Sequence, residues 1–129
     1  MRTLIVVLAF SLLGSGLFAE SDLVGTWNTG RENTLVRIYE IEKEYYGEII
    51  SSDNRKVEIG TQILKDFEKV DDKWKADLFF PKMQRWFTTM IELEDDTLTI
   101  TISTKTFKRS KVWTRVSPVE NQKLGHGNR

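Results

Sequence analysis

No cysteine occurs in this chain, which removes disulfide staples, thiolate metal sites, a thiol nucleophile and a lipid-bearing N-terminal cysteine together. Histidine occurs once, as His126 in the terminal Gly125-His126-Gly127-Asn128-Arg129. Nothing around it would orient an imidazole, so a serine-histidine-acid triad and histidine-built zinc or copper sites are not supplied. His126 reads as a solvated tail residue. Neither sign of charge prevails: 19 Lys and Arg face 19 Asp and Glu. A basic surface drawing the protein to nucleic acid or to an anionic membrane is therefore not expected from the net balance. Beyond the first twenty residues no apolar run of membrane-spanning length is present.

What is present begins with a leader. Met1-Arg2-Thr3 carries one positive charge, Leu4 to Leu13 is apolar, Gly14-Ser15-Gly16 is small, and Ala19 precedes the first acid, Glu20. This is the order of a secretory signal peptide over residues 1–19, with cleavage expected after Ala19. Leu17 is bulkier than the usual small residue three positions before a cut, which leaves room for cleavage a few residues away. An uncleaved anchor is disfavoured by the Gly-Ser-Gly break. The expected product is periplasmic or secreted, with no stable membrane anchor. At 129 residues there is enough chain for one domain, expected over residues 20–117, followed by a disordered tail at 118–129.

The domain reads as short strands. Leu23 to Thr29 leads, Arg31-Glu32-Asn33 breaks it, and Leu35 to Glu42 and Tyr45 to Ser51 form a hairpin across a charged turn. Ser52 to Lys56 is a loop of turn-forming residues, and Val57-Glu58-Ile59 is read as a strand edge. Thr61 to Glu68 is assigned to a strand, although Ile63 and Phe67 also fit helical spacing. Trp74, Ala76, Leu78 and Phe80 alternate with Lys75, Asp77 and Phe79, a mostly charged face, until Pro81, which cannot donate to a ladder. Phe87, Thr89, Ile91 and Leu93 share a side in the next strand, and Leu98, Ile100 and Ile102 in the one after. The last strand runs over about Arg109 to Val116.

Eight candidate strands joined by hairpin-length breaks predict an all-β fold, an eight-stranded antiparallel up-and-down barrel, since a meander of this size loses its free edges by closing. A two-sheet sandwich is the competing architecture.

Gly25-Thr26-Trp27 on the first strand and Arg115 in the closing Trp113-Thr114-Arg115-Val116 resemble the signature of the calycins, the lipocalins and fatty-acid-binding proteins. That resemblance implies that Arg115 packs across Trp27 where the barrel closes, with Gly25, Trp27 and Arg115 as the structural set. The succession Val24 to Trp27, Val36 to Glu40, Tyr46 to Ile49, Gly60 to Phe67, Leu98 to Ile100 and Trp113 to Val116 looks like the bacterial DUF2147 family. This implies a small exported protein with a calycin-like barrel and brings no established activity with it. Three departures stand out. Ile41 and Tyr46 lie where many members carry a cysteine pair, the loop Ser51 to Ile59 is shortened, and Thr104 to Lys108 replaces a glycine-rich turn.

The carboxylate pairs Asp71-Asp72 and Glu94-Asp95-Asp96 lack calcium-loop spacing and read as hairpin turns. Asp77 and Glu40 lie inside strands, and either point into the barrel or face outward beside lysine. The abundant aromatic residues either line a cavity for an apolar or ring-bearing ligand or fill a small barrel solid. For the first case the candidate ligand contacts are Arg37, Tyr39, Tyr46, Arg85 and Phe87, an arginine meeting any anionic end. No catalytic role, cofactor, metal or nucleic acid is expected. The expected function is binding of a small apolar or amphipathic ligand in the barrel; the alternative is a cell-envelope protein-protein interaction module with a solid core.

Overall fold

Alternation of apolar and polar residues puts every second side chain on one face of a strand, and here that face turns inward around a closed ring. The computed structural model describes residues 22–117, so the leader at 1–19 and the tail at 118–129 lie outside the described residues. Its strands are β1 (Gly25–Asn28), β2 (Leu35–Ile41), β3 (Glu44–Ser51), β4 (Gln62–Val70), β5 (Lys73–Phe80), β6 (Arg85–Glu94), β7 (Thr97–Ser103) and β8 (Lys108–Arg115). Each pairs antiparallel with the next, and β1 also pairs with β8. This is the up-and-down barrel, and the β1–β8 pairing excludes the sandwich.

The two ends of the barrel differ. Residues 42–43, 71–72 and 95–96 form two-residue turns at one end, here called the base. Aspartate suits the left-handed conformation at Asp71 (φ 57°) and Asp95 (φ 55°), because its short side chain bonds locally. At Glu42 (φ 50°) and Lys43 (φ 69°) two long side chains occupy positions that Asn-Gly fills best. Replacing that pair by Asn-Gly is expected to stabilise the barrel by about 1 kcal/mol, read as a shift in the urea midpoint at constant m-value. The longer connections 29–34, 52–61, 81–84 and 104–107 gather at the opposite end, the mouth.

In β4 the ladder shifts register between Lys65 and Glu68, and Asp66 adopts φ 56°. This bulge turns Leu64 and Phe67 to the same side although they are three apart. It is the reason for the helix-like spacing in that stretch. Val57-Glu58-Ile59 is a loop rather than a strand edge. Its place beside β3 is held by Gly60 N donating to Ile49 O (2.7 Å) and Ile49 N donating to Thr61 O (2.9 Å).

Side chains fill the interior as one continuous cluster from Leu23 at the base to Phe87 near the mouth. Trp27, Ile38, Leu64, Ile91, Leu98, Ile100 and Ile102 are fully buried. Tyr45, Phe67 and Trp74 meet edge to face, with centroids 5.4 to 6.2 Å apart, and close the base half. The buried Thr89 hydroxyl donates to Ala76 O at 2.9 Å. Among the described residues no buried side-chain nitrogen or oxygen lacks a partner, so no polar group in the core is left for a ligand to satisfy.

Candidate functional site

Gly25, Trp27 and Arg115 meet at the base side of the β1–β8 seam. The Arg115 guanidinium carbon lies 4.4 Å from the centre of the Trp27 ring. Its Nη2 donates to Asp22 O (2.6 Å), Nη1 to Val24 O (3.2 Å) and Nε to the Asp96 carboxylate (3.1 Å). Trp27 Nε1 donates to Leu23 O at 3.1 Å. This seam is structural: each guanidinium nitrogen of Arg115 and the indole N–H of Trp27 donate to the chain itself.

The five candidate ligand contacts divide into two groups. Arg37 and Tyr39 alternate with the buried Val36 and Ile38, and Tyr46 with the buried Tyr45 and Gly47, so all three stand on the outer wall. Tyr39 and Tyr46 are register partners with ring centroids 5.9 Å apart, and Arg37 lies 5.8 Å from the Tyr39 ring. Burial raises the Tyr39 pKa, and the charge of Glu48 and a hydrogen bond to it add to the rise. Arg37 and Tyr39, but not Tyr46, line a depression of about 430 Å³ that also touches Val24, Thr26 and Ile50. A second depression, about 530 Å³, is lined by hydroxyls of the outer wall of β6 to β8, among them Thr88, Thr99, Thr101 and Ser110. Asp77 also faces outward, accepting from the Thr88 hydroxyl at 3.2 Å, while Glu40 is exposed at the base rim. Placing Arg37, Tyr39 and Tyr46 inside the barrel therefore fails on strand parity.

Arg85 and Phe87 belong to the other group, at the mouth. Both point inward from β6, and the Arg85 guanidinium carbon lies 5.0 Å from the centre of the Phe87 ring. Phe80 meets Phe87 at 5.0 Å and Phe107 meets it at 6.4 Å, both edge to face. On β8 the inward parity that buries Trp113 also brings Lys111 and Arg109 to this end. Lys111 Nζ lies 5.3 Å from the centre of the Phe80 ring and the Arg109 guanidinium carbon 5.7 Å from that of Phe107. Three phenyl rings thus floor the mouth, and a cation accompanies each. Phe107, Arg109 and Lys111 were not among the candidate ligand contacts, and Phe80 was only one of the many aromatic residues that could line a cavity, although counting back by twos from Trp113 reaches Lys111 and Arg109.

Burial pushes the Lys111 pKa below the ordinary lysine value, and the charges of Arg31 and Arg109 push it the same way. Between the lowered pKa and the ordinary one, the folded chain holds fewer protons on this group than the unfolded chain. The charged ammonium therefore costs stability at neutral pH, and the cost fades as pH rises through that window. Lys111→Met is expected to raise Tm at pH 7, with the gain shrinking toward the ordinary lysine pKa. A scan of Tm against pH for the two proteins checks both parts; a gain that grows with pH would contradict the sign.

A family model described as an uncharacterized protein conserved in bacteria, DUF2147, matches residues 25–115. Neither a curated protein nor a solved structure matches the chain.

Proposed function

The chain belongs to the DUF2147 family of bacterial proteins, and from that premise we propose an exported, non-catalytic binding module that works at the mouth of a filled barrel. Its ligand is a small amphipathic molecule whose apolar part lies against Phe80, Phe87 and Phe107. The observation that carries this reading is the contrast between the two ends. Leu23 and Trp27 at the base are fully buried, whereas the mouth ends in partly exposed rings beside cationic heads. Rings at a barrel end offer area to an apolar group without requiring a cavity through the core. Export follows from the charge, apolar and small-residue order of the leader, which would deliver the module to the periplasm or the exterior.

Amide chemical-shift mapping tests this reading. Titration with dodecyl maltoside or dodecanoate, below their micelle concentrations, is expected to move the resonances of 80–87 and 104–111. Shifts confined to the outer wall, or none with either probe, would overturn it.

A second reading, an envelope protein-protein module, has one observation in its favour. Beside the Tyr39–Tyr46 pair, Ile41 is 52% and Val24 38% exposed, an apolar group on the outer wall next to a depression. Crosslinking in the envelope from position 39 rather than from position 85 would favour it.

A further inference from the structure

We infer that the mouth is a receptor for an anionic head group, a carboxylate or phosphate, held by Arg85, Arg109 and Lys111 with Arg31 beside them. The inference rests on the binding reading above and names the chemistry of its polar end.

Three observations support it. The first is that, among the described residues, these cations have no carboxylate partner. Among the described residues the single ion pair within 4 Å is Arg115 with Asp96, at the base. No hydrogen bond from the side chains of Arg31, Arg85, Arg109 or Lys111 to the protein is present among those residues. Two of the three acids in the mouth loops bond to asparagine amides. Glu32 accepts from Asn54 Nδ2 at 3.0 Å and Asp53 from Asn33 Nδ2 at 2.6 Å.

The second is that the arrangement opposes folding. Lys111 is partly desolvated and stands within the fields of Arg31 and Arg109. A chain optimised for stability would put a carboxylate or an apolar residue there. Local rules broken without structural return concentrate at sites that bind something.

The third is the distribution of charge along the barrel axis, which the equal totals conceal. The base turns contain five acids, Glu42, Asp71, Asp72, Asp95 and Asp96, against Lys43 alone. The mouth loops contain five bases, Arg31, Arg55, Lys56, Lys82 and Lys105, against the acids Glu32, Asp53 and Glu58. The inward Arg85, Arg109 and Lys111 add to the mouth. Such a field steers an anion to the mouth and away from the base, and weakens with salt.

The head group would meet planar guanidinium forks suited to carboxylate or phosphate oxygens. Its apolar portion would continue over the phenyl floor.

Calorimetry on the protein in its native processed form tests the inference. The probes are dodecanoate, dodecyl phosphate, dodecyl maltoside, dodecyltrimethylammonium and inorganic phosphate, each below its micelle concentration where one applies. Both anionic amphiphiles are expected to bind about tenfold or more tighter than the maltoside, and the trimethylammonium more weakly still, since charge-assisted bonds form only with the first two. Arg85→Gln and Lys111→Gln are each expected to weaken dodecanoate about tenfold and leave the maltoside unchanged. Lys111→Gln removes a desolvated charge, so loss of fold does not confound it. As pH rises through the lowered Lys111 pKa, dodecanoate affinity should fall in the native protein and stay level in Lys111→Gln. Equal affinity for anionic and neutral amphiphiles would overturn the anion inference while leaving the mouth reading intact. Inorganic phosphate binding as tightly as dodecyl phosphate would keep the anion site and overturn the amphipathic reading. No binding by any probe would remove both.

Discussion

Truncating Trp27 to alanine is expected to destabilise the barrel by about 4 kcal/mol, the largest single effect in the molecule. The indole is fully buried, so its removal loses the transfer free energy of a large ring and leaves a cavity that a closed sheet collapses into poorly. It also deprives Leu23 O of its Nε1 donor and Arg115 of its aromatic partner. The location makes the loss worse. Register pairing joins β1 to β8 through only two residue pairs, Trp27 with Arg115 and Asn28 with Thr114, whereas β7 and β8 share seven. A seam with so few ladder bonds depends on side chains to stay shut.

Urea unfolding should report the free-energy loss, and amide exchange should rise first at Val116, whose N donates to Thr26 O across the seam at 2.9 Å. A double-mutant cycle with Arg115→Met is expected to give a coupling of about 1 kcal/mol between the indole and the guanidinium. A loss below about 1 kcal/mol for Trp27→Ala would mean that the seam is held by its backbone alone.

Gly47→Val is expected to cost about 3 kcal/mol, and Gly47→Ala somewhat less. A Cβ built at position 47 would lie 2.9 Å from both Cβ and Cδ1 of Leu64, its register partner on β4. Leu64 is fully buried and cannot swing away. The glycine lets β3 and β4 approach where the ladder is irregular, between Gly47 and Glu48. Shortening Leu64 to alanine should not rescue Gly47→Ala, because the Leu64 Cβ is itself one of the two nearest contacts. Full rescue in the double variant would show instead that the flexible end of Leu64 sets the limit.

Strand existence and order were legible because period-2 alternation in β5, β6 and β7 is clean, as in Trp74, Ala76 and Leu78 or Leu98, Ile100 and Ile102. The short connections made a meander the natural topology. Where a bulge intervenes, the pattern misleads. Asp66 shifts parity within β4, and nothing in a one-dimensional spacing of Ile63, Leu64 and Phe67 separates a bulge from a turn of helix. The candidate contacts show the same limit in another form. Arg37, Tyr39 and Tyr46 look like lining residues by composition, but Val36, Ile38 and Tyr45 take the inward positions and leave the three outside. Arg85 and Phe87 lie together at the mouth. Their companion Phe80 is the register partner of Arg85 in the same hairpin, whereas Phe107 comes from the connection before β8, a proximity that spacing along the chain does not show.

The equal totals of acid and base illustrate the point most sharply. They speak against a basic surface drawing the protein to nucleic acid or to an anionic membrane, and would speak against steering of a small anion only if charge were uniformly distributed. An up-and-down chain sends alternate connections to opposite ends, so a neutral sequence can carry a strong axial separation of charge.

The alternating hydrophobicity and the turn residues determined that this chain would be an antiparallel sheet and where its strands would lie, because those choices depend on neighbours along the chain. Which side of the sheet each residue faces after a bulge, which rings share a floor, and which cations stand without a counter-charge were decided only by how the strands pair and the sheet curls. Tertiary structure brings together residues as far as 93 positions apart, as Asp22 and Arg115 are, and no local preference encodes that distance.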